Sequence, residues 1–312
     1  VTSRAGKTLA ALVPLALIAV LGWNLSQPHP GPAPQAAPSP PPPVLRLCRS
    51  TGCYRGVDLA EQSRARLAAW VTATQVPPTI VEVYQRLSSP FPARWAAYLT
   101  ARGILPLIQL DPRQGVAPVL SGADDGHLRS FAAQIARAHM RVALSFGHEM
   151  NGDWYPWGFR HTRPADFITA WRRVHDLLAS PLVTWVWTVN HVYGGPGSSP
   201  VARWWPGAPY VDWVGLDAYF EGPQATFRRI FRPTLRQIRR VTSKPVLLTE
   251  TATGPWLTSA QQIRSLFDGI RQYHLLGLLW YDQDGRRPWY LDNRPQDLAT
   301  FRQESQKLKE SS

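Results

Sequence analysis

From residue 54 onward, short apolar runs rich in β-branched residues alternate with longer runs whose apolar positions recur at helical spacing. Eight of the short runs read as strands: 56–58, 79–85, 104–111, 141–148, 183–190, 211–219, 245–250 and 277–282. Between them, amphipathic patterns predict helices over 59–74, 124–138, 164–178, 227–241, 259–273 and 296–308. In the first of these, Leu59, Ala60, Leu67, Trp70 and Val71 form the apolar face. The link after 183–190 carries Gly194, Gly195, Pro196 and Gly197 and reads as a loop with little helix. Strict alternation of strand and helix implies a parallel sheet, and strands apolar on both faces imply that the sheet is buried. Eight repeats in about 250 residues predict an α/β fold of the (β/α)8 TIM-barrel type. No glycine-rich nucleotide fingerprint follows any strand, which sets aside an open doubly wound sheet. In the barrel, functional side chains belong at the C-terminal ends of the strands.

The first 43 residues follow a different pattern. Arg4 and Lys7 are their only charged side chains, and an uncharged, largely apolar run follows over 8–26. A basic flank before an apolar stretch, long enough for a helix of about 28 Å, predicts a signal peptide or an N-terminal membrane anchor over 1–27. Either would export the rest of the chain, to be secreted or held at the outer face of the membrane. Nine prolines within 28–43 make residues 28–47 a linker of extended, polyproline-like character. The folded domain is expected over 48–312. In an exported chain, Cys48 and Cys53 are expected to form a disulfide that closes a short loop.

Composition narrows the function classes. The 312 residues are 44% hydrophobic and 18% charged, which excludes a disordered chain, and two cysteines exclude a four-cysteine zinc site. The net charge is +13, carried by 34 basic against 21 acidic groups, with only four lysines among the basic ones. The arginines read as scattered general surface charge, so no nucleic-acid partner is expected. The chain is expected to be a monomer.

The strand ends carry the chemistry. In chain order they read Gln109-Leu110-Asp111-Pro112 after the third strand, His148 through Gly158 after the fourth, Asn190-His191 after the fifth, Asp217-Ala218-Tyr219 after the sixth, Thr249-Glu250-Thr251 after the seventh and Trp280-Tyr281-Asp282 after the eighth. Glu149 and Glu250 thus stand at the tops of strands four and seven, nearly opposite in an eight-stranded barrel. Two facing carboxyls amid Trp and Tyr meet the requirement of glycoside hydrolysis: one protonates the leaving oxygen, the other attacks the anomeric carbon. The second charge holds the first group protonated. A lone glutamate at a strand end is more often a salt-bridge partner; two with aromatic company change that reading. His148-Glu149 lacks the second histidine of a zinc protease, since Gly152 stands there. A metal at Asp217 with His191 is unforced, and none is expected. No Gly-x-Ser-x-Gly elbow is present. Trp185, Trp187 and Trp213 read as packing, while Trp204 and Trp205 are left open between an outer sugar subsite and a cover over the barrel.

The stretch 148–158, HEMNGDWYPWG, resembles the signature of glycoside hydrolase family 26, which contains retaining β-mannanases on the (β/α)8 scaffold. KPVLLTETA at 244–252, VDWVGLDAYF at 211–220 and ILPLIQLDP at 104–112 are similar to its strand-seven, strand-six and strand-three segments. The resemblance spans about 56–282. It implies Glu149 as acid/base and Glu250 as nucleophile, forming a covalent glycosyl-enzyme. It further implies His148 at the cleavage site, Trp154 shaping the sugar site, Tyr219 bonded to the nucleophile and Trp280 as the platform under the sugar. Trp157 and Asn190 complete the expected substrate-binding set, and Asp217 is expected to support Tyr219 from behind. The implied activity is endo-hydrolysis of a polysaccharide, foremost β-1,4-mannan, without a cofactor. Ser145 stands where members often carry arginine, and Gln109-Leu110-Asp111 is less aromatic than usual. These departures keep β-1,3-xylan and mixed-linkage β-glucan open as substrates. An anchored transglycosylase and a non-catalytic sugar-binding barrel are the rival readings.

Overall fold

A computed structural model describes residues 45–192, 197–285 and 287–310. The expected segment 1–27, residues 28–44 of the linker and Gly194, Gly195 and Pro196 lie outside the described residues.

Eight parallel strands close into a barrel in sequence order: β1 (Tyr54–Asp58), β2 (Ile80–Arg86), β3 (Leu105–Asp111), β4 (Val142–Phe146), β5 (Val183–Asn190), β6 (Trp213–Asp217), β7 (Val246–Thr251) and β8 (Gly277–Tyr281), with β8 pairing back to β1. Each falls on a run predicted from the sequence. The helices are α1 (Arg64–Thr74), α2 (Ala93–Thr100), α3 (Ala117–Ser121), α4 (Asp125–Ala138), α5 (Pro164–Leu177), α6 (Phe227–Ile230), α7 (Arg232–Val241), α8 (Ser259–Gln272) and α9 (Pro295–Glu310).

Three details depart from the sequence reading for local reasons. The helix expected over 59–74 begins at Arg64, because Ser63 caps it by accepting the Arg66 N–H at 3.2 Å. The helix expected over 227–241 is two helices. Pro233 has no N–H to return to the carbonyl four residues back, and the chain restarts at Arg232 with a proline in its first turn. The short α2 and the five-residue α3 were not read from the sequence; α2 follows Pro90 and Pro92, and only its Trp95, Ala96 and Leu99 bury. The link after β5 contains two 3-10 turns, Val201–Trp204 and Ala208–Tyr210, and no α-helix among its described residues.

The barrel interior changes character with height. Its lower part is apolar, with Tyr54, Ile80, Leu107, Ala143, Val186, Trp213, Leu247 and Leu279 among the residues packed together, one from each strand. Below them, Cys48 and Cys53 form the expected disulfide, and the Cys48 N–H donates to the Tyr54 hydroxyl at 3.0 Å. Successive strand residues face opposite sides, so the same inward rows continue upward as Asp58, Glu82, Tyr84, Gln109, Ser145 and Thr188. The outer faces bury a larger apolar layer against the helices. α9 closes this ring: Phe301 meets Trp70, Phe267 and Trp280 at centroid distances of 5.7, 5.6 and 5.6 Å.

Candidate active site

Glu149 is placed by a turn that breaks helical and extended geometry alike. β4 ends at Phe146, and Gly147 and Glu149 both adopt left-handed backbone, at φ 56° and 55°. A non-glycine residue in that region is uncommon and has to be held by its surroundings. A side chain on Gly147 would approach Phe167 to 3.0 Å. The Glu149 N–H donates to the Thr188 carbonyl at 3.0 Å. The rest of the loop is tied to β5 by a reciprocal pair: Asn151 donates its amide to the Asn190 carbonyl, and the Asn190 N–H donates to Asn151 Oδ1, both at 2.8 Å. The Glu149 carboxylate accepts from the Trp154 indole at 2.8 Å and from the Asn190 side-chain amide.

Glu250 comes from β7. Pairing of β7 slips register against both neighbours near its upper end, between Gly215 and Asp217 on one side and between Leu248 and Thr251 on the other. Such a slip re-aims side chains, and here two successive residues engage buried partners. Thr249 donates to Asp217, and Glu250 accepts from the hydroxyls of Tyr84 and Tyr219. One oxygen from each of Glu149, Glu250 and Asp217 lies within 4.8 Å of the others. Both glutamates and the side chains of Trp154, Tyr155, Asn190, Tyr219, Tyr281 and Trp289 line one cavity of about 580 Å³.

The electrostatics separate the two glutamates. Burial and then the Glu250 charge push the Glu149 carboxyl up to about 7, against the His148 charge and the Asn190 and Trp154 donors. Burial alone would depress His148, but the Asp111 carboxylate, 3.1 Å from Nδ1, pushes it up to about 9. The imidazolium then donates from Nε2 to the Tyr155 hydroxyl at 3.1 Å. Glu149 is thus held protonated toward neutral pH, with the His148 imidazolium beside it. Asp217 is held well above the usual carboxylate range by burial and by the Glu250 and Glu149 charges.

The three carboxyls have spacing that suits a cation. Yet both oxygens of each glutamate accept protein hydrogen bonds and Asp217 Oδ1 accepts from Thr249, so only Asp217 Oδ2 is left over. This donor set is built around an acid pair rather than a metal.

Tyr84, Asp58, Tyr155 and Trp289 carry no role in the sequence reading, while Tyr281, which follows Trp280 at the end of the eighth strand, does form part of the wall. The signal for Asp58 and Tyr84 was the period-two inward row on β1 and β2. They also settle a proton count. The Tyr84 hydroxyl lies 2.9 Å from Asp58 Oδ2 and also bonds Glu250, but it has one proton. Burial and the Glu250 charge hold Asp58 well above the usual carboxylate range. A protonated Asp58 donating to Tyr84 leaves the Tyr84 proton for Glu250. Tyr84→Phe is expected to lower kcat/KM about ten- to hundredfold, the worth of one hydrogen bond to a charged group. Asp58→Asn keeps a donor facing Tyr84 and is expected to stay within about fivefold of the parent, whereas Asp58→Leu should fall toward Tyr84→Phe. Steady-state kinetics of the three variants check this order.

Three expected sugar contacts are corrected. Trp280 is no platform: Leu279 faces inward, so Trp280 faces outward, fully buried, donating to the Trp289 carbonyl at 3.0 Å and packing on Phe301. Its place at the cavity wall is taken by Tyr281 and Trp289, which meet the Tyr219 ring at 5.4 and 5.0 Å. Trp157 is also fully buried, stacked on Tyr155 at 4.4 Å and donating to the His148 carbonyl. His148 lies beneath Tyr155 instead of at the cavity surface. Trp154, Asn190 and Tyr219 stand at the cavity as expected, and Asp217 lies beside the glutamates. Trp204 is buried against Phe167 and is a cover; Trp205 packs on Trp187. Accordingly, Trp280→Ala should cost about 3–5 kcal/mol of stability through the cavity it leaves. Trp289→Ala, which removes a buried ring that also lines the cavity, should cost stability as well and in addition raise KM, whereas Trp280→Ala should leave KM unchanged; kinetics on both variants distinguish the two roles.

Residues 127–255 match the sequence model of glycosyl hydrolase family 26. Among characterised proteins, the chain is 24% identical over 207 residues to endoglucanase H of Acetivibrio thermocellus, covering 59% of this chain and 22% of that protein. It is 37% identical over 89 residues to mannan endo-1,4-beta-mannosidase A and B of Caldalkalibacillus mannanilyticus, covering 25% and 16%. It is 26% identical over 140 residues to beta-1,3-xylanase TXYA of a Vibrio species, covering 44% and 29%. The matches thus span less than a third of each relative's length. In fold, the catalytic domain of an endo-beta-1,4-mannanase from Bacillus sp. JAMB-750 superposes with a TM-score of 0.63 over 82% of this chain and 86% of that one, at 16% identity.

Proposed function

We propose, from the premise that this chain belongs to glycosyl hydrolase family 26 and is a glycoside hydrolase, that it cleaves a β-linked polysaccharide internally and with retention of configuration, β-1,4-mannan first among substrates. The observation that carries the retaining reading is the spacing of the carboxyls. An oxygen of Glu149 lies within 4.8 Å of one of Glu250, which fits the separation of about 5–5.5 Å in retaining pairs better than the wider spacing of inverting pairs.

The steps follow from the surroundings of each group. The protonated Glu149 gives its proton to the leaving oxygen while Glu250, steered by Tyr84 and Tyr219, attacks the anomeric carbon. Glycosylation removes the Glu250 charge that held Glu149 protonated, so Glu149 becomes a base suited to deprotonating the incoming water. Trp289, Tyr281 and Trp154 supply ring faces for the sugars. An endo mode is supported by two hollows beside the site, of about 480 Å³ next to Tyr84 and about 360 Å³ next to Tyr219. The second of these shares His191, Tyr219 and Glu221 with the cavity and extends it to that side. The mannosidase relative favours mannan, and the xylanase relative keeps β-1,3-xylan as the second substrate. Export by the apolar segment behind Arg4 and Lys7 would bring the enzyme to such polymers.

The test is reducing-sugar release by the full chain from β-1,4-mannan, β-1,3-xylan, mixed-linkage β-glucan and cellulose. Oligosaccharides of several lengths from mannan are expected. Release from xylan alone would replace the substrate, and release of monosaccharide alone would overturn the endo mode.

A further inference from the structure

The basic charge is not scattered evenly. Residues 227–241, which form α6 and α7, contain Arg228, Arg229, Arg232, Arg236, Arg239 and Arg240 and no acidic residue. We infer that the flank formed by α6, α7 and α8 is a second binding site, separate from the catalytic mouth, that holds an acidic polysaccharide chain.

Four observations carry this. First, the flank is concave. A groove of about 630 Å³ runs between α6 and α8, with Arg228, Arg232 and Arg264 in its walls. A smaller hollow of about 130 Å³ continues it along α7 past Arg236 and Arg239, sharing Arg232 and Tyr273 with the first. Second, the charge there is uncompensated. Among the described residues, no ion pair involves Arg228, Arg232, Arg236 or Arg264, and the one acid in the groove wall, Asp268, is taken by Arg271 at 2.6 Å. Like charges at helical spacing repel and cost stability unless an anion sits among them. Third, the positions are periodic. Arg232, Arg236 and Arg239 stand four and seven residues apart on one helix, about 6 and 10.5 Å along its axis. That arrangement suits a polymer with repeated anionic groups, each of which a guanidinium fork can grip with two hydrogen bonds. Fourth, the uncharged lining suits sugars. Gln261 and Gln272 offer amides to hydroxyls, and Tyr273 offers one ring.

The same features separate the occupant from other polyanions. A lipid surface is broad and would not enter a groove. Single-stranded nucleic acid is held by successive aromatic platforms, and here the groove offers one half-buried ring, Tyr273, while Phe227 is buried. A glycoside hydrolase that also grips an acidic polymer would be retained where neutral and acidic glycans are mixed. The binding does not depend on the catalytic pair, so it stands or falls independently of the proposed substrate.

Polygalacturonate serves as the probe, with the full chain in low salt, by calorimetry and by affinity electrophoresis. Binding that weakens with salt is expected. The combined variant Arg232→Gln, Arg236→Gln and Arg264→Gln should weaken it at least about tenfold, as loss of charge-assisted contacts requires. A charge-matched variant, Arg49→Gln, Arg94→Gln and Arg137→Gln, should stay within about twofold, and neither should alter hydrolysis of a neutral polymer. Absence of binding, or an equal loss in both variants, overturns the inference. So does tighter binding of single-stranded DNA or phosphatidylglycerol vesicles through the same three arginines.

Discussion

Glu250→Gln is expected to remove about 10⁴-fold or more of kcat/KM, the scale seen when one member of a concerted catalytic set is lost. The side chain keeps its shape; one of Tyr84 and Tyr219 keeps a carbonyl oxygen to donate to, and the other can turn its hydroxyl to accept from the new amide NH2, so stability should change little. The variant also reports on its partner. On the proposed mechanism the parent needs Glu149 protonated, and burial with the Glu250 charge holds that carboxyl at about 7, so the rate should fall as pH rises through about 7. Without the Glu250 charge, Glu149 should release its proton at a lower pH. A titration of the Glu149 carboxyl by carbon NMR in both proteins checks the shift; an unmoved titration would mean that Glu250 does not govern it. Azide added to Glu250→Ala should restore turnover and give the glycosyl azide of inverted configuration, a rescue that a structural defect would not allow.

The second large effect belongs to Glu149. Glu149→Gln is expected to lower turnover of the natural polymer by about 10²–10⁴-fold, the usual contribution of a general acid. An aryl glycoside whose leaving group needs no proton should still glycosylate Glu250 at near the parent rate. The base for the second step is then missing, so a burst of phenol followed by slow turnover is expected. Azide should speed that turnover and yield the azide of retained configuration. Equal loss on both substrates, without a burst, would place Glu149 outside proton transfer. The contrast between the two azide products assigns the two glutamates without reference to stability.

The barrel was legible because each strand is a short apolar run in a chain long enough to repeat it eight times. Glu149 and Glu250 were legible because both follow such runs, in segments that also resemble a known family. What was lost is the direction of individual side chains. Trp280 and Tyr281 are adjacent, and only the inward row fixed by Leu279 says which of them reaches the cavity. Trp157 lies in the signature stretch but is folded under Tyr155, a consequence of the turn at Gly147 and Glu149 that no periodicity encodes. Asp58 and Tyr84 sit at the end of a five-residue and within a seven-residue strand, and nothing local sets them apart from packing until the closed barrel brings the Tyr84 hydroxyl to Glu250 of β7 across the interior. The proline after Arg232 was visible, and its power to divide a helix was underweighted against a continuous amphipathic pattern. The arginines of 227–241 were counted with the rest, because their convergence with Arg264 depends on how α7 and α8 pack.

A double displacement at Glu250 assisted by Glu149 requires net retention at the anomeric carbon, and the stereochemistry of the first product reveals it. Proton NMR of β-1,4-mannan during hydrolysis, read before mutarotation, should show the new reducing ends appearing as the β-anomer and only later equilibrating. New reducing ends that appear first as the α-anomer would mean a single displacement, with no glycosyl-enzyme on Glu250.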